Sequence, residues 1–320
     1  MDDELFSILI VNFNGSRHLG PCLSALAEQT FPRHRFEVVL VDNASHDDSL
    51  ALVRRDFPWV RVVNNESNEG FAGGNNAGLP YARGRYLVLL NNDTMPDPHW
   101  LEELAAEAKP GIAVASKLVF AHDPSLVNSA GLQLLRDGRG ADRGFRHVDR
   151  GQFETPCAVF AGCGAAICLD RKTFDGRLFD PRYFMYYEDL DAFWRGRLAG
   201  RPAIYAPRSL VRHVHGGSAG EESALFRFHV ERNRAITSLR NADAFLAIWN
   251  AMGLAARVAR SGLKWLIGRE RGVLFWATAR ALASFLVLAP RVLVELGSQR
   301  PVQRRRSSAH APNCRVRRWP

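Results

Sequence analysis

Four short apolar runs constrain the fold of this chain more than any other feature of its sequence. They are residues 6–12, 36–42, 59–63 and 86–90. Each run is rich in β-branched residues and bounded by polar turns, which is typical of strands buried on both faces. Helical patterns follow near residues 17–30, 47–57, 72–82 and 97–108. Strand–helix units repeated in this way predict an α/β fold with a mostly parallel central sheet flanked by helices.

The pattern becomes less regular after the fourth unit. Residues 120–185 are rich in glycine and contain a strand-like run at 157–160, whereas residues 221–241 show a helical pattern. Beyond Phe245 the chain is helical and apolar until Gln299, where an Arg-rich segment begins. We therefore expect a main α/β domain over residues 1–242, a C-terminal helical extension over 243–298 and a basic disordered tail over 299–320.

The net charge of +9 is concentrated at the C-terminal end of the chain. Residues 254–320 contain 14 Lys and Arg against 2 Asp and Glu, whereas the remainder contains 28 basic and 31 acidic residues. A nearly neutral main domain excludes nucleic-acid binding over the whole surface. The five scattered cysteines form no CxxC pair, which disfavours a disulfide scaffold and a cysteine-based zinc site. The acidic residues 1–4 do not resemble a secretory signal, so we expect a cytoplasmic protein.

Polar residues follow all four predicted strands, at the edge where parallel sheets bind ligands. The strands lead into Asn12, Asp42, Asn64 and the triplet 91–93. Asn and Asp are common turn residues, so a single position of this kind would indicate only a turn. Four of them at the carboxyl ends of neighbouring strands predict a binding cleft.

Two features at this edge have more than one interpretation. Asp93 follows an apolar strand, where it either holds Mg²⁺ or Mn²⁺ together with diphosphate oxygens or caps the following helix. The glycine-rich segment 68–78 opens the third helix, where backbone N–H groups can face an anion. The GxGxxG fingerprint and the Walker lysine are both absent, so segment 68–78 alone identifies no nucleotide-binding fold.

Two further clusters contain titratable side chains. Glu188, Asp189 and Asp191 lie at the start of a predicted helix, where carboxylates either complement the helix dipole or supply a general base. His213 and His215 alternate along a strand-like stretch, so we expect them to face opposite sides, with only one in the cleft. A glycine-rich turn follows His215 and would let it reach a metal or phosphate, although a structural hydrogen bond is the alternative.

Seven short motifs occur in order over about residues 5–240. They are Val11-Asn-Phe-Asn-Gly15, Val41-Asp-Asn-Ala-Ser45, Asn68-Glu-Gly-Phe-Ala-Gly-Gly-Asn-Asn76, Leu90-Asn-Asn-Asp-Thr94, Gly162-Cys-Gly-Ala165, Tyr187-Glu-Asp-Leu-Asp191 and His213-Val-His-Gly-Gly-Ser218. Together they resemble the family 2 glycosyltransferases with a Rossmann-like GT-A fold, especially the rhamnosyltransferase-like members that build bacterial polysaccharides. The resemblance implies inverting transfer of rhamnose or another hexose from a dTDP- or UDP-sugar to a hydroxyl of a glycan or lipid-linked acceptor in cell-surface polysaccharide assembly.

The resemblance also implies which residues bind the nucleotide. Asp42 would accept a hydrogen bond from the pyrimidine ring N–H, in a pocket lined by the region of Asn12. Further residues implied in the nucleoside and phosphate wall are Asn68, Gly70, Asn76 and Asn92. Recognition of this kind is compatible with both UDP and dTDP.

The same resemblance implies the metal site and the catalytic groups. Asp93 would hold Mg²⁺ or Mn²⁺ on the diphosphate, and His215 would help to hold the metal or the diphosphate. Asp189 would act as the base, with Glu188 beside it. The donor and acceptor pocket would be bordered by Gly162, Cys163, Gly164 and Asp191. The triplet 91–93 departs from the family pattern because its first residue is not a carboxylate, which leaves Asp93 as the one anionic ligand.

The C-terminal region combines basic residues with aromatic and aliphatic ones. Arg257, Arg260, Lys264 and Arg271 fall within about 60° of arc on a helix. The longest uncharged stretch, residues 281–290, is shorter than the roughly 20 apolar residues of a spanning helix. We therefore expect peripheral contact with the inner face of the cell membrane. The alternative is that the apolar faces pack on the main domain.

Three other functions are alternatives. A nucleotidyltransferase would carry a basic, glycine-rich loop after the first strand, which residues 14–17 match poorly. A nucleic-acid-binding protein using the basic C-terminal region conflicts with the nearly neutral main domain, so we expect no nucleic-acid partner. A non-catalytic scaffold conflicts with the presence of Asp42, Asp93 and Asp189.

Overall fold

A ten-stranded sheet lies at the centre of the fold. The structure, a computed structural model, describes residues 5–173, 176–215 and 223–298. Its strands are β1 (Phe6–Asn12), β2 (Phe36–Asp42), β3 (Arg61–Asn64), β4 (Tyr86–Leu90), β5 (Thr94–Pro96), β6 (Ala113–Phe120), β7 (Val127–Ser129), β8 (Leu132–Leu134), β9 (Gly140–Asp142), β10 (Cys157–Val159), β11 (Ala166–Asp170) and β12 (Ala203–His213). Its helices are α1 (Ser16–Ala27), α2 (Ser49–Asp56), α3 (Gly70–Gly78), α4 (Trp100–Glu107), α5 (Glu188–Leu198), α6 (Ala224–Asn241), α7 (Ala244–Leu266) and α8 (Gly272–Ser298).

The direction of the strands confirms the predicted α/β architecture and refines it. Strands β3, β2, β1 and β4 are parallel neighbours in that order. Strand β11 runs antiparallel between β4 and β6, and β12 is parallel to β6. Six strands therefore share one direction, whereas β5, β7, β10 and β11 run against it. The second half of the sheet is mixed because its added strands return as short antiparallel segments rather than through crossover helices.

The register of the sheet brings the carboxyl ends of its strands to one edge. Asn12 at the end of β1 is aligned with Asp42 at the end of β2, which is aligned with Asn64 of β3. On the other side, Thr94 of β5 pairs with His213 at the end of β12. Residues far apart in sequence thus meet at the edge where the sequence predicts a cleft.

Apolar layers cover both faces of the sheet, because strands buried on both sides alternate between them. Along β1, Ile8 and Ile10 join one hydrophobic cluster, whereas Leu9 joins the other. Helix α1 buries Leu19 and Leu26, among others, against the same cluster as Ile8. Full burial of one such aliphatic side chain contributes about 1.5–3 kcal/mol. These two packed layers make the central sheet rigid, including the edge where the polar residues follow the strands.

Two long helices form the predicted C-terminal extension. Asp243 caps α7 by accepting a hydrogen bond from the Leu246 N–H, and Gly268, with φ of +69°, lies in the turn that separates α7 from α8. Helix α8 packs on α6, and the buried residues of α8 include Thr278 and Phe285. The predicted tail over 299–320, and the glycine-rich turn after His215, lie outside the described residues.

Candidate active site

Three polar side chains at the ends of neighbouring strands form a hydrogen-bonded chain. The amide of Asn92 donates to Asn12 Oδ1 at 2.8 Å, and the amide of Asn12 donates to Asp42 Oδ1 at 3.0 Å. The second carboxylate oxygen of Asp42 accepts from the Ser45 N–H at 2.9 Å. Asn12 and Asp42 are buried, so these contacts fix the orientation of a carboxylate at the edge of the sheet formed by the strand ends.

The glycine-rich start of α3 differs from the predicted anion site. Asn68 accepts a hydrogen bond from the Gly70 N–H at 2.9 Å, and the Ala72 N–H donates to the carbonyl of Phe184 at 3.0 Å. Gly70 has a φ of +67°, and a Cβ there would lie 2.3 Å from the same carbonyl of Phe184. Because Gly70 has no side chain, the loop that contains Phe184 can approach the start of α3. The carbonyl of Phe184 accepts a hydrogen bond from the Ala72 N–H, a helix N–H group that was expected to face an anion.

Asn76 does not point into the predicted nucleotide wall. Its carbonyl oxygen accepts from the N–H groups of Leu178 and Phe179, and its amide donates to the carbonyl of Phe179 at 2.8 Å. These bonds fasten the segment before α5 to α3. The nucleotide contact predicted for Asn76 is corrected to this structural role, because sequence motifs do not show which way a helical side chain faces.

Asp93 lies against a histidine at the buried edge of the sheet. Its Oδ1 is 3.3 Å from Nε2 of His213, and its backbone carbonyl accepts a hydrogen bond from the Val214 N–H at 3.0 Å. Burial disfavours ionisation of Asp93, but His213 and the nearby His18 hold its pKa below the usual value. Asp93 is therefore a buried carboxylate that stays ionised.

The two histidines share one partner instead of facing opposite sides. Their ring centroids are 5.6 Å apart, and Asn128 contacts both Nδ1 atoms. The predicted alternation fails because β12 ends at His213 and His215 adopts a φ of +56°. His215 is packed between the rings of Phe120 and Phe145. His213 consequently takes the place beside Asp93 that the sequence analysis assigned to His215.

The donor set at Asp93 fits a divalent cation that takes its remaining ligands from a substrate. No group of three or more His, Cys, Asp or Glu side chains arranged to hold a metal occurs among residues 5–173, 176–215 and 223–298. Adjacent ligands on an octahedral ion with bonds of about 2.1 Å are about 3.0 Å apart. The 3.3 Å between Asp93 Oδ1 and His213 Nε2 is close to that separation. Mg²⁺ in particular binds to few protein ligands and to substrate phosphates.

Asp189 is held against the turn that begins β11. Its Oδ2 accepts a hydrogen bond from the Gly164 N–H at 3.0 Å, and a Cβ on Gly164 would lie 3.4 Å from the same oxygen. Burial raises the pKa of Asp189, although N–H groups of Gly164 and Leu190 oppose the shift. Gly162 is required for packing, since a Cβ there would lie 2.4 Å from Ile167. The turn at 162–164, which the sequence analysis expected only to border the donor and acceptor pocket, thus also holds Asp189.

Strained backbone precedes the helix that carries Asp189. Phe184, Tyr186 and Tyr187 all have positive φ angles between 64° and 71°. The amide of Asn233, a fully buried residue on α6, donates to three carbonyls of this loop, those of Tyr183, Met185 and Tyr186. Such strain persists only where surrounding contacts enforce it, and it concentrates at functional sites.

Two other carboxyl groups lie near Asp189. Burial, helped by the charge of Asp189, raises the pKa of Glu188 well above its usual range, and its Oε2 has no hydrogen-bond partner among the described residues. Burial raises the pKa of Asp142, on β9, to about 6, with Ser129 opposing and Asp189 reinforcing the shift. Burial and the charges of Asp142 and Asp189 also raise the pKa of the Cys163 thiol well above its usual value. Segment 162–164 and the start of α5 therefore enclose a cluster of acidic groups whose pKa values are raised by burial.

Asp191 lies outside this cluster. It is fully buried and faces α6, where Oδ1 accepts from the Asn241 amide at 2.8 Å and Oδ2 pairs with Arg195 at 2.9 Å. Arg240 lies 3.5 Å from the same carboxylate. The donor or acceptor contact predicted for Asp191 is corrected to a structural ion-pair network. Two residues along a helix rotate by about 200°, so Asp189 and Asp191 lie on nearly opposite faces of α5.

The sequence analysis missed several residues that support or adjoin the candidate site. Asn128, Asp142 and Asn233 lie in segments without a recognisable motif, and His213 was set aside in favour of His215. Each is brought near the candidate site through pairing between distant segments, such as β6 with β7 or α5 with α6. A single sequence carries no local signal for such contacts.

Comparisons with known proteins identify relatives of the chain by sequence. Residues 7–165 match the model of the family described as Glycosyl transferase family 2. Glycosyltransferase AglE of Haloferax volcanii is 28% identical over 99 residues, which cover 30% of this chain and 33% of AglE. The N-acetylglucosaminyl-diphospho-decaprenol L-rhamnosyltransferase of Mycobacterium tuberculosis is 26% identical over 277 residues, which cover 78% of this chain and 87% of that protein. The chain thus aligns with about one third of AglE but with most of the rhamnosyltransferase.

Solved structures show the same fold at low sequence identity. The structure of GalNAc-T7 with UDP, GalNAc and Mn²⁺ has a TM-score of 0.59 at 17% identity, covering 74% of this chain and 48% of that chain. The mannosyltransferase PcManGT from Pyrobaculum calidifontis, with GDP-Man and Mn²⁺, has a TM-score of 0.54 at 17% identity, covering 90% and 86%. These similarities concern the fold and confirm the predicted GT-A architecture.

Proposed function

The chain belongs to glycosyl transferase family 2, and from this membership we propose that it transfers a sugar from a nucleotide-sugar to an acceptor hydroxyl in the assembly of a cell-surface polysaccharide. The donor is a dTDP- or UDP-linked hexose, with rhamnose the first candidate. The acceptor is a glycan or a lipid-linked sugar. The similarity to the mycobacterial rhamnosyltransferase, which extends over most of both chains, supports this choice of donor and acceptor.

One structural relationship carries the proposal. Strand β11 pairs with β4, and beyond the last pair the Asn91 N–H donates to the carbonyl of Ala165 at 3.0 Å. Asp93 follows Asn91 by two residues, and Gly164 beside Ala165 holds Asp189. A buried anionic group suited to a cation and a carboxylate suited to proton removal are therefore attached to adjacent ends of paired strands. A transferase needs both groups at the bond between the sugar and the diphosphate.

Asp42 provides the site for the base of the nucleotide. Its carboxylate is oriented by Asn12 and Ser45, yet each carboxylate oxygen has a second lone pair for a ring N–H. The ring N–H of uracil or thymine is the matching donor, whereas adenine has no such ring N–H. Asn43 and Asn68, joined at 3.2 Å, extend the polar wall beside it.

The Asp189 carboxylate is the proposed base. Burial raises its pKa, which makes it a stronger proton acceptor than an exposed Asp, and the Gly164 N–H keeps Oδ2 in place. The acceptor hydroxyl gives its proton to Asp189 while its oxygen attacks the anomeric carbon. The nucleoside diphosphate leaves from the opposite face, so the anomeric configuration inverts. General-base catalysis of this kind accelerates transfer about 10²–10⁴-fold.

Asp93 and His213 are the residues proposed to hold a divalent cation, Mg²⁺ or Mn²⁺. Such an ion neutralises the negative charge on the leaving diphosphate. Mn²⁺ accompanies the nucleotide in both GalNAc-T7 and PcManGT, which supports a divalent cation in a chain of the same fold. Asp93 stays ionised despite burial, as a cation ligand must.

A peripheral membrane contact through α7 and α8 completes the proposal. Large apolar side chains are exposed along these helices, and we call them the α7–α8 surface: Phe245, Trp249, Met252, Leu263, Leu266, Ile267, Trp276, Leu286, Val287 and Val294. Exposed basic residues accompany them, including Lys264, Arg269 and Arg271. Helix α8 is also long and apolar enough to cross a membrane, but it packs on α6, and its Glu295 pairs with Arg182 at 2.7 Å. Those contacts favour a helix lying on the bilayer.

A donor panel tests the proposed activity. Purified protein is incubated with UDP-, dTDP- and GDP-sugars, an undecaprenyl- or decaprenyl-diphosphate-linked GlcNAc acceptor, and Mg²⁺ or Mn²⁺, and the release of nucleoside diphosphate is measured. We expect release from a pyrimidine nucleotide-sugar that depends on the acceptor and on the metal. Release from GDP-mannose alone would refute the choice of a pyrimidine nucleotide-sugar as donor, and no release from any donor would count against the transferase.

A further inference from the structure

A large cavity lies at the edge of the central sheet opposite to the candidate active site. Ala113, which begins β6, and Asp170, which ends β11, line a cavity of about 980 Å³. Asp170 is aligned with Tyr86 at the start of β4, whereas Asp93 and Asp189 lie beyond the other ends of β4 and β11. Helices α5, α6, α7 and α8 provide the remaining walls. The cavity is therefore separate from the candidate active site, and its size is that of a ligand pocket.

The inner walls of this cavity are apolar, and its opening adjoins the α7–α8 surface. Phe179 and Phe193 line it and are buried. Ile248 of α7 and Leu293 of α8 also line it but are 59% and 54% exposed, so they lie where the cavity meets solvent. Each of these two residues directly precedes a residue of the α7–α8 surface in the sequence. An apolar ligand could therefore pass from the α7–α8 surface into the cavity without crossing a polar segment of either helix.

The charged side chains around the cavity are mostly basic. The arginines that line it are Arg177, Arg195, Arg201 and Arg240. Arg195 and Arg240 are neutralised by the buried ion-pair network of Asp191. Arg177 and Arg201 are exposed, and neither forms an ion pair with residues 5–173, 176–215 or 223–298. Asp170 also lines the cavity, but its carboxylate accepts the Gly111 N–H at 2.9 Å and lies 3.7 Å from Arg85. Two guanidinium groups thus remain available for an anion beside an apolar cavity.

We propose that this cavity binds an anionic phospholipid, with the acyl chains against its apolar walls and the phosphate at Arg177 and Arg201. The planar guanidinium group matches the oxygens of a phosphate and binds them through two parallel hydrogen bonds. The chain's own residues 299–320 do not complement the cavity, because they contain seven Arg and no Asp or Glu. The site extends the membrane contact of the proposed function, and it requires nothing of the transfer reaction.

Calorimetric titration with water-soluble lipids tests the site without vesicles, donor or acceptor. The probes are dioctanoyl phosphatidylglycerol, dioctanoyl phosphatidylcholine and glycerol phosphate, each used as monomers. We expect the anionic lipid to bind at least about tenfold more tightly than the zwitterionic lipid, because only its phosphate is unpaired. Glycerol phosphate, which has no acyl chains, should bind more weakly still. Equal binding of the two lipids, or glycerol phosphate binding as tightly as the anionic lipid, would overturn the proposal.

Removal of the two free charges tests the phosphate site. The double variant Arg177→Gln and Arg201→Gln should bind dioctanoyl phosphatidylglycerol at least about tenfold more weakly, because charge-assisted hydrogen bonds to the phosphate are lost. Both arginines are exposed, so the fold should tolerate the change. The double variant Arg54→Gln and Arg150→Gln removes two exposed arginines outside the cavity and should bind as the wild type. Equal affinity in the two double variants would overturn the assignment of the phosphate.

Partial filling of the cavity tests the site of the acyl chains. Ala244, the first residue of α7, is exposed and lines the cavity, so Ala244→Trp should exclude part of a chain without disturbing the core. Each excluded CH₂ group should weaken binding about fourfold. Ala51→Trp, on the surface of α2, is the matched control. The double variant Leu266→Glu and Trp276→Glu alters the α7–α8 surface outside the cavity and should bind the monomeric lipid as the wild type. Loss of binding in that double variant but not in Ala244→Trp would place the lipid on the α7–α8 surface and overturn the proposal, whereas the proposed transfer reaction would be unaffected.

Discussion

Oδ2 of Asp189 lies 3.0 Å from the backbone nitrogen of Gly164. This hydrogen bond attaches the start of α5 to the turn that leads into β11, the strand that pairs with β4. The carboxylate is therefore positioned by the central sheet as well as by its own helix.

Asp189→Asn should abolish most of the catalysis while leaving the fold intact. The amide oxygen can still accept the Gly164 N–H, but it cannot take a proton from the acceptor. We expect kcat to fall about 10²–10⁴-fold, with the KM for the nucleotide-sugar within about twofold. Asp191→Asn is the matched control, because it removes ion-pair partners of Arg195 and Arg240. It should lower Tm and leave kcat largely intact; an equal loss of kcat in both variants would contradict the assignment.

Asn233→Ala should release the strained loop before α5. Asn233 is buried, and its amide serves three loop carbonyls. Loss of such buried hydrogen bonds costs about 1–3 kcal/mol of unfolding free energy, measurable by urea denaturation. Because the loop leads directly to Glu188 and Asp189, kcat should also fall. Asn233→Asp keeps the size but removes the donor, so it should be at least as damaging; full activity in either variant would show that the loop orders itself.

Asp142→Asn should stabilise the protein at high pH. Burial raises the pKa of Asp142 to about 6, above the usual value of about 3.9, so its charged form destabilises the native state. That penalty is complete above pH 6 and disappears as the pH falls below about 4. Thermal melts at pH 8 and pH 4, without metal, should therefore show a higher Tm for Asp142→Asn only at pH 8. A lower Tm of Asp142→Asn than of the wild type at pH 8 would mean that the ionised carboxylate of Asp142 is stabilised by a partner in the native state.

The double variant Leu266→Glu and Trp276→Glu should weaken binding to anionic vesicles. Both side chains belong to the α7–α8 surface and are exposed, so the fold should tolerate the change. Burying one such side chain in a bilayer contributes about 1.5–3 kcal/mol, which predicts at least a tenfold loss of binding in flotation assays. Tyr81→Glu, at an exposed residue in the main domain, is the control. Equal binding of all three proteins would leave the α7–α8 surface without a role at the membrane.

Local pattern was sufficient to predict much of the fold. Strands β1, β2 and β4 match the predicted runs to the residue, because sheets buried on both faces require short continuous apolar segments. Strand β3 begins two residues later than predicted, at Arg61, since Trp59 belongs to the preceding turn. The antiparallel strands β5, β7, β8 and β9 are three residues long, too short to show a period.

The residues of the candidate site also fall into two groups, those that a local sequence pattern predicts and those that depend on contacts between distant segments. Asp93 lies just after the apolar strand β4, and Asp189 lies in the first turn of helix α5. The positions of both residues could therefore be predicted from their neighbours in the sequence. The neighbours of His213 depend on the pairing of β5 with β12 and on Asn128 of β7, which no local pattern encodes. Asp191 was misplaced because its partners, Asn241 and Arg240, lie about 50 residues further along the chain.

Isothermal titration of UDP and dTDP, with and without Mn²⁺, tests the central claim most directly. The wild-type protein should bind both nucleotides more tightly with Mn²⁺ than without it. Asp93→Ala should lose the effect of Mn²⁺ while keeping the weaker, metal-independent binding, and Asp56→Ala, on the surface of α2, should behave as the wild type. Binding that is unaffected by Mn²⁺, or that is equally metal-dependent in Asp93→Ala, would contradict a nucleotide–metal site at the carboxyl end of β4.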